Sequence, residues 1–213
     1  MTTVLQGSLF DVAQDRADDV VLGELGRGLV RQQLGRGAWL DVLAGWLPGA
    51  DALFEELVES VPWHEERRLM YQRVVDVPRL LSFYDEDAEL PHPLLERAKH
   101  ALSSHYGPVL GEPFRTAGLC LYRDGRDSVA WHGDTIGRGR TDDTLVAIVS
   151  LGAPRSLLLR PRGGGTTVKN SLGHGDLVVM GGSCQRTWEH AVPKTARPVG
   201  PRISVQFRPR GVR

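Results

Sequence analysis

Residues 128–137 read SVAWHGDTIG. Val129, Ala130 and Trp131 are apolar and strand-like, and His132 and Asp134 follow them two positions apart. In an extended strand, residues i and i+2 point to the same side. An imidazole and a carboxylate therefore project together, either as a local hydrogen-bonded pair or as two ligands of one metal ion. Working outward, short strand candidates surround this stretch: AGLCLY (117–122), TLVAIVSLG (144–152), RSLLLRP (155–161), TTVKN (166–170), DLVVMGG (176–182), WEHAV (188–192) and RISVQF (202–207). Gly, Pro and Asp clusters separate them, and many short strands at regular spacing mean a sandwich or a barrel. The RPRGGGTTVK segment (160–169) reads as a glycine-rich hairpin tip. It is not a phosphate loop, because neither Gly-Lys-Ser/Thr nor a following helix accompanies it.

The N-terminal half has a different texture. Residues 1–27 are polar and weakly periodic, and read as a loosely packed or disordered leader. In GWLPGADALFEELVESVPW (45–63), Leu53, Phe54, Leu57 and Val58 form one apolar helical face, ended by Pro62. In PHPLLERAKHALSSHYG (91–107), Pro93 suits the first helical position and Leu94, Leu95, Ala98, Ala101 and Leu102 make the buried stripe. Gly107 is the expected stop. Between them, ERRLMYQRVVDVPRLLSFY (66–84) reads as strands with a turn, broken at Pro78. The fold class is mixed α/β and mainly β: a helical N-terminal layer, about residues 28–111, supports a β-sandwich of about 112–213, in one domain.

Composition sets bounds. Of 213 residues 41% are hydrophobic and 24% charged, as in an ordinary soluble protein. Lys plus Arg and Asp plus Glu are both 26, so net charge argues neither for nor against nucleic acid. The cysteines, Cys120 and Cys184, lack zinc-finger spacing. The N-terminus lacks the pattern of a signal peptide and no run approaches a membrane span. The expectation is a cytoplasmic monomer with no membrane partner and no disulfide.

A third ligand candidate, His190, lies on the later WEHAV strand. Two His and one carboxylate form a facial triad that leaves coordination positions open on iron(II). Those positions suit a bidentate 2-oxo acid and dioxygen. His64, His92, His100, His105 and His174 read instead as surface or capping residues. A 2-oxo acid with a second carboxylate needs a distal cation, and GPRISVQFR offers Arg202 and Arg208, on one face with Ser204 and Gln206 if the strand is regular. The alternative for these arginines is a solvated strand.

Together, LCLYRDGRDSVAWHGD, VAIVSLGAPRSLLLR, GHGDLVVMGGSCQRTWEHAVPK and GPRISVQFR resemble, in order and spacing, the AlkB family of iron(II)- and 2-oxoglutarate-dependent dioxygenases. The resemblance implies a double-stranded β-helix (jelly-roll) core with a nucleotide-recognition lid. It implies His132, Asp134 and His190 as iron ligands, and Tyr122, Arg202 and Arg208 around 2-oxoglutarate. Cys120 and Ser204 stand where the family usually has Asn; Ser204 can still donate a hydrogen bond to the cofactor. The usual acidic residue just past the metal Asp is missing, since Thr135 and Ile136 follow Asp134. VVDVPRLLSFYDED (74–87) looks like the start of the lid, with Arg79 and Tyr84 as contacts to phosphate or base; the alternative there is a structural strand with a core Tyr. The implied activity is oxidative demethylation of alkylated bases in DNA or RNA, single-stranded or flipped out, with dioxygen as cosubstrate and formaldehyde, succinate and carbon dioxide as products. The alternative is an oxygenase of the same scaffold acting on a protein or small molecule.

Overall fold

The computed structural model describes residues 21–70 and 73–212. Most of the leader, residues 1–20, and residues 71–72, within the segment where a turn is expected, lie outside the described residues.

Among the described residues twelve strands pair antiparallel: β1 (Val30–Gly35), β2 (Ala38–Leu43), β3 (His64–Met70), β4 (Arg73–Tyr84), β5 (Thr116–Tyr122), β6 (Val129–His132), β7 (Val146–Gly152), β8 (Arg155–Pro161), β9 (Val168–Leu172), β10 (Asp176–Gly182), β11 (Trp188–Val192) and β12 (Arg202–Arg208). Eight of them, β5 to β12, are the C-terminal strand candidates of the sequence, and β3 and β4 are the strands expected over 66–84. The larger sheet runs β1-β2-β10-β7-β12-β5-β4-β3 and the smaller runs β6-β11-β8-β9. Between the sheets, Cys120, Tyr122, Ile148 and Val178 meet Leu157, Leu159, Trp188 and Val192. Two helices, α1 (Asp51–Ser60) and α2 (Pro93–Leu110), cover the other face of the larger sheet. There Leu53, Leu57, Leu95 and Leu102 pack with Leu119, Ile203, Val205 and Phe207. The result is three layers, helices on sheet on sheet, and the jelly-roll core is the expected one. A third, single-turn helix, α3 (Cys184–Thr187), leads into β11.

Four local readings differ from the sequence-based ones. First, β1 and β2 form a hairpin on the β10 edge of the large sheet, within a segment expected to be helical or lid. Its turn places Arg36 and Gly37 at φ 56 and 79, where glycine is at home and arginine is not. Second, α2 runs through Gly107 and Pro108 and stops at Gly111, whose φ of 79 gives the left-handed cap and whose N–H reaches the Gly107 carbonyl. Pro108 falls in the last turns, where a missing donor costs one hydrogen bond rather than a helix. Third, β4 passes through Pro78 without a break. The ladder with β3 skips there, pairing Arg67 with Asp76 and Glu65 with Leu80, so the missing N–H has no partner to lose. Fourth, β6 ends at His132, so Asp134 lies just past the strand and not within it.

Of the leader, residues 21–27 are described and irregular. The Gly23 N–H reaches the Trp46 carbonyl at 2.7 Å and the Trp46 indole returns a bond to the Gly23 carbonyl at 2.8 Å. Leu22 and Leu25 pack against the helix-side core.

Candidate active site

β6 and β11 are neighbours in the smaller sheet, and His132 and His190 are direct cross-strand partners. Their rings lie 4.2 Å apart between centroids. At Gly133, immediately after His132, the chain bends inward. A Cβ at that position would stand 2.3 Å from the Gln185 carbonyl oxygen, so only glycine fits. Asp134 is thereby brought beside the histidines although the strand has ended. One ligand atom from each of His132, Asp134 and His190 lies within 4.8 Å of the others, a set able to hold one metal ion.

Each member is oriented. His132 Nδ1 sits 2.9 Å from the Ala130 carbonyl and must carry its proton there. That leaves Nε2, 3.8 Å from Asp134 Oδ1, as the free lone pair. The Asp134 amide donates to Gln185 Oε1 at 2.9 Å, and Asp134 Oδ2 accepts from Arg208 Nε at 2.7 Å. Burial alone would raise the Asp134 carboxyl, but Arg208, His190 and His132 together hold it well below the usual carboxylate range. Burial, reinforced by His132, pushes His190 down to about 3. His132 is lowered too, by burial against the pull of Asp134. At neutral pH the site therefore presents two neutral imidazoles and one carboxylate, the protonation state a divalent metal requires.

The triad opens into a cavity of about 880 Å³ between the sheets. From β12, Arg202, Ser204, Gln206 and Arg208 all line it, as period-two alternation requires. From β5 come Cys120 and Tyr122. Arg202 is 2% exposed, donates from Nε to Ser150 Oγ at 2.9 Å, and leaves Nη1 without any partner. No carboxylate pairs with it among the described residues. Burial lowers its pKa, with Tyr122 and Cys120 opposing, and burial pushes the Tyr122 phenol up to about 12. A buried guanidinium that lines the cavity with one nitrogen left unpartnered is costly unless an anion meets it there. The residues present thus fit a metal ion and a dicarboxylic 2-oxo acid.

The lid residues divide. Arg79 lines the cavity, donates to the Ser128 carbonyl at 3.1 Å and leaves Nε unpartnered. Tyr84 packs against the helix-side core and does not border the cavity. Alternation along β4 explains this: its neighbour Phe83, 45% exposed, takes the cavity side, and the more exposed Ile136 lines the same cavity. Elsewhere His92 caps α2, accepting the Leu94 N–H at 3.0 Å, and His174 accepts the Gly152 N–H at 2.8 Å. Both cysteines are buried and free. Ser150 and Gln185 escaped the sequence reading, and nothing marked them; Gln206 was placed on the face of Arg202 and Arg208 by the alternation of β12, without a role.

The description "2OG-Fe(II) oxygenase superfamily" fits a family model matching residues 81–208, a span that holds the triad and both arginines. A Bos taurus relative, alpha-ketoglutarate-dependent dioxygenase alkB homolog 3, is 33% identical over 185 residues, covering 76% of this chain and 62% of the relative. The Homo sapiens DNA oxidative demethylase ALKBH2 is 27% identical, covering 75% of this chain and 68% of that protein. Among solved structures, that of OsALKBH1 superposes with a TM-score of 0.57 at 16% identity, covering 83% of this chain and all of the other.

Proposed function

Since the chain belongs to the 2OG-Fe(II) oxygenase superfamily, and within it to the AlkB family, we propose that it is an iron(II)- and 2-oxoglutarate-dependent dioxygenase that oxidatively demethylates alkylated bases of nucleic acid. The chain spans 62% of the length of the alkB homolog 3 relative, so the activity is argued from the site. The observation that carries it is the buried Arg202, with Nη1 unpartnered in the same cavity as the His132–Asp134–His190 set.

In this reading His132 Nε2, Asp134 Oδ1 and a His190 ring nitrogen hold the iron. Arg202 and the Tyr122 hydroxyl hold the distal carboxylate of 2-oxoglutarate. When bound, iron(II) with 2-oxoglutarate and dioxygen supplies the oxidising power that hydroxylates a methyl carbon on a base nitrogen, which then leaves as formaldehyde. The chain's own work is positional. Arg208 keeps Asp134 ionised and fixes its second oxygen, Ala130 fixes the His132 tautomer, and the apolar walls of Leu157, Leu172 and Val192 keep water from the reacting methyl. A base stacked inside a duplex cannot enter such a cavity, so the substrate is single-stranded or flipped out. Phe83 and Ile136 at the opening offer the apolar surface an unstacked base prefers.

The test is incubation of the protein with methylated single-stranded DNA and RNA, iron(II) and 2-oxoglutarate, with mass analysis of the bases. Loss of methyl groups together with succinate formation is the expected result. Succinate formation with no demethylation of any nucleic acid would transfer the proposal to a protein or small-molecule substrate.

A further inference from the structure

We infer that Gln206 is a positioning residue that turns the protons of Ser204 and Cys120 into the cavity, building a donor-lined seat for the metal-end carboxylate of a 2-oxo acid. The inference rests on the function proposed above and names how this chain grips that acid.

The argument begins with polarity. Arg208 has donors only, so the side-chain oxygen of Gln206 must face it, and Oε1 accepts from Arg208 Nη2 at 3.1 Å. The amide nitrogen then points the other way. It donates to Ser204 Oγ at 2.7 Å and to Cys120 Sγ at 3.2 Å. Ser204 and Cys120 are direct cross-strand partners, so one amide reaches both. Each is an acceptor in its bond to Gln206, and neither can aim its own proton back at an N–H. Among the described residues no other hydrogen bond engages the Ser204 hydroxyl, and both side chains border the cavity. The hydroxyl proton, and the weaker thiol proton, are left to face it.

Position says which end of the acid this is. Along β12 the cavity-facing residues run Arg202, Ser204, Gln206, Arg208, about 7 Å per pair of residues. Arg208 binds Asp134 at one extreme, while Arg202 waits with its free Nη1 at the other. Ser204 and Cys120 lie between them, level with Ser150 on the far side of β12. An acid anchored by Arg202 and reaching toward the triad passes over this seat. Gln206 completes the relay: its nitrogen sets the two donors and its oxygen steadies the arginine that holds Asp134.

The test uses the iron(II)-loaded protein under anaerobic conditions, with 2-oxoglutarate binding followed by calorimetry. Gln206→Glu keeps the shape but offers only acceptors, so Ser204 and Cys120 turn their protons inward and a negative charge enters the seat. Binding should weaken about ten-fold or more. In a Ser204→Ala background the same change should cost clearly less, because the proton it redirects is already gone. Gln206→Leu, which adds no charge, should weaken binding by a smaller factor and keeps the test open if the Glu variant folds poorly. Wild-type affinity in both the Glu and Leu variants, or strictly additive losses with Ser204→Ala, overturns the inference alone. A wild-type protein that binds no 2-oxoglutarate overturns the proposed function and this inference with it.

Discussion

On one face of β12, Ile203, Val205 and Phe207 are each fully buried against the helices. On the other, Arg202, Ser204, Gln206 and Arg208 border a cavity. The two faces belong to the same seven residues, yet they answer to different physics. The helix side needs apolar volume, and its contribution to stability scales with the surface it hides. The cavity side buries a cation with a missing partner, which costs stability until a ligand supplies the anion. One strand thus serves as both keel and grip, and mutations on its two faces should separate folding from binding.

The largest separation is expected at the triad. His132→Ala should reduce 2-oxoglutarate turnover by at least about a hundred-fold while the midpoint of thermal unfolding barely moves, because the imidazole is 38% exposed. Succinate release read beside a melting curve checks this, and full turnover in the variant would remove the metal site from the account. Next come the two faces of β12 directly. Phe207→Ala should cost about 3–5 kcal/mol of stability through the cavity it leaves. Arg202→Met should cost nothing, or raise the stability of the ligand-free protein, since replacing a buried charge with an apolar chain is often neutral or stabilising. The same Met variant should lose 2-oxoglutarate binding. Denaturant titrations of both variants decide it; if Arg202→Met unfolds as readily as Phe207→Ala, the contrast between the faces fails.

A smaller effect is expected from pH. The folded His190 titrates near 3, against 6.5 for an ordinary histidine. As pH falls through 6.5 the unfolded chain takes up a proton that the folded chain refuses, so the metal-free protein loses stability on acidification. From pH 7 to 5 this amounts to about 2 kcal/mol for the one group. His132 is shifted in the same direction and adds to the trend. His190→Gln should flatten the slope of urea midpoint against pH, and an unchanged slope would show that His190 is not the group responsible. Smallest is the contrast along β4. Phe83→Ala should weaken nucleic-acid turnover, by about 1–3 kcal/mol if a base stacks there, with little change in stability. Tyr84→Ala should do the reverse, since Tyr84 packs on the helix-side core. Equal losses of turnover in both variants would return Tyr84 to the binding surface.

Much of this was legible in the chain. The C-terminal strands announced themselves because most are short apolar runs between Gly, Pro or Asp residues. The helix at 51–60 did so through its spaced leucines. The hairpin of β1 and β2 did not: VRQQLG is polar and almost wholly exposed, so it carries no alternation, and its Arg-Gly turn lacks the usual signature. Gly107-Pro108 imitates a helix stop, and whether a helix continues past such a pair depends on what the next turn packs against. At the site, residue types and order pointed to His132, Asp134 and His190, but not to Gln185, Ser150 or Gln206. Those three act through contacts with segments far away in the chain, and reach is not written in local pattern.

The sequence by itself determined the donor chemistry: two imidazoles, one carboxylate, and arginines on a strand of period two. Covalent identity and the side-chain alternation of β-structure suffice for that. Only the tertiary structure decided which of those groups meet and what state they meet in. It set His190 opposite His132, bent the chain at Gly133 so that Asp134 joins them, turned Tyr84 to the core and Phe83 to the cavity, and left Arg202 Nη1 without a partner. These outcomes depend on register between strands far apart in the chain and on burial, which fix distance and local dielectric; neither quantity exists until the sheets have packed.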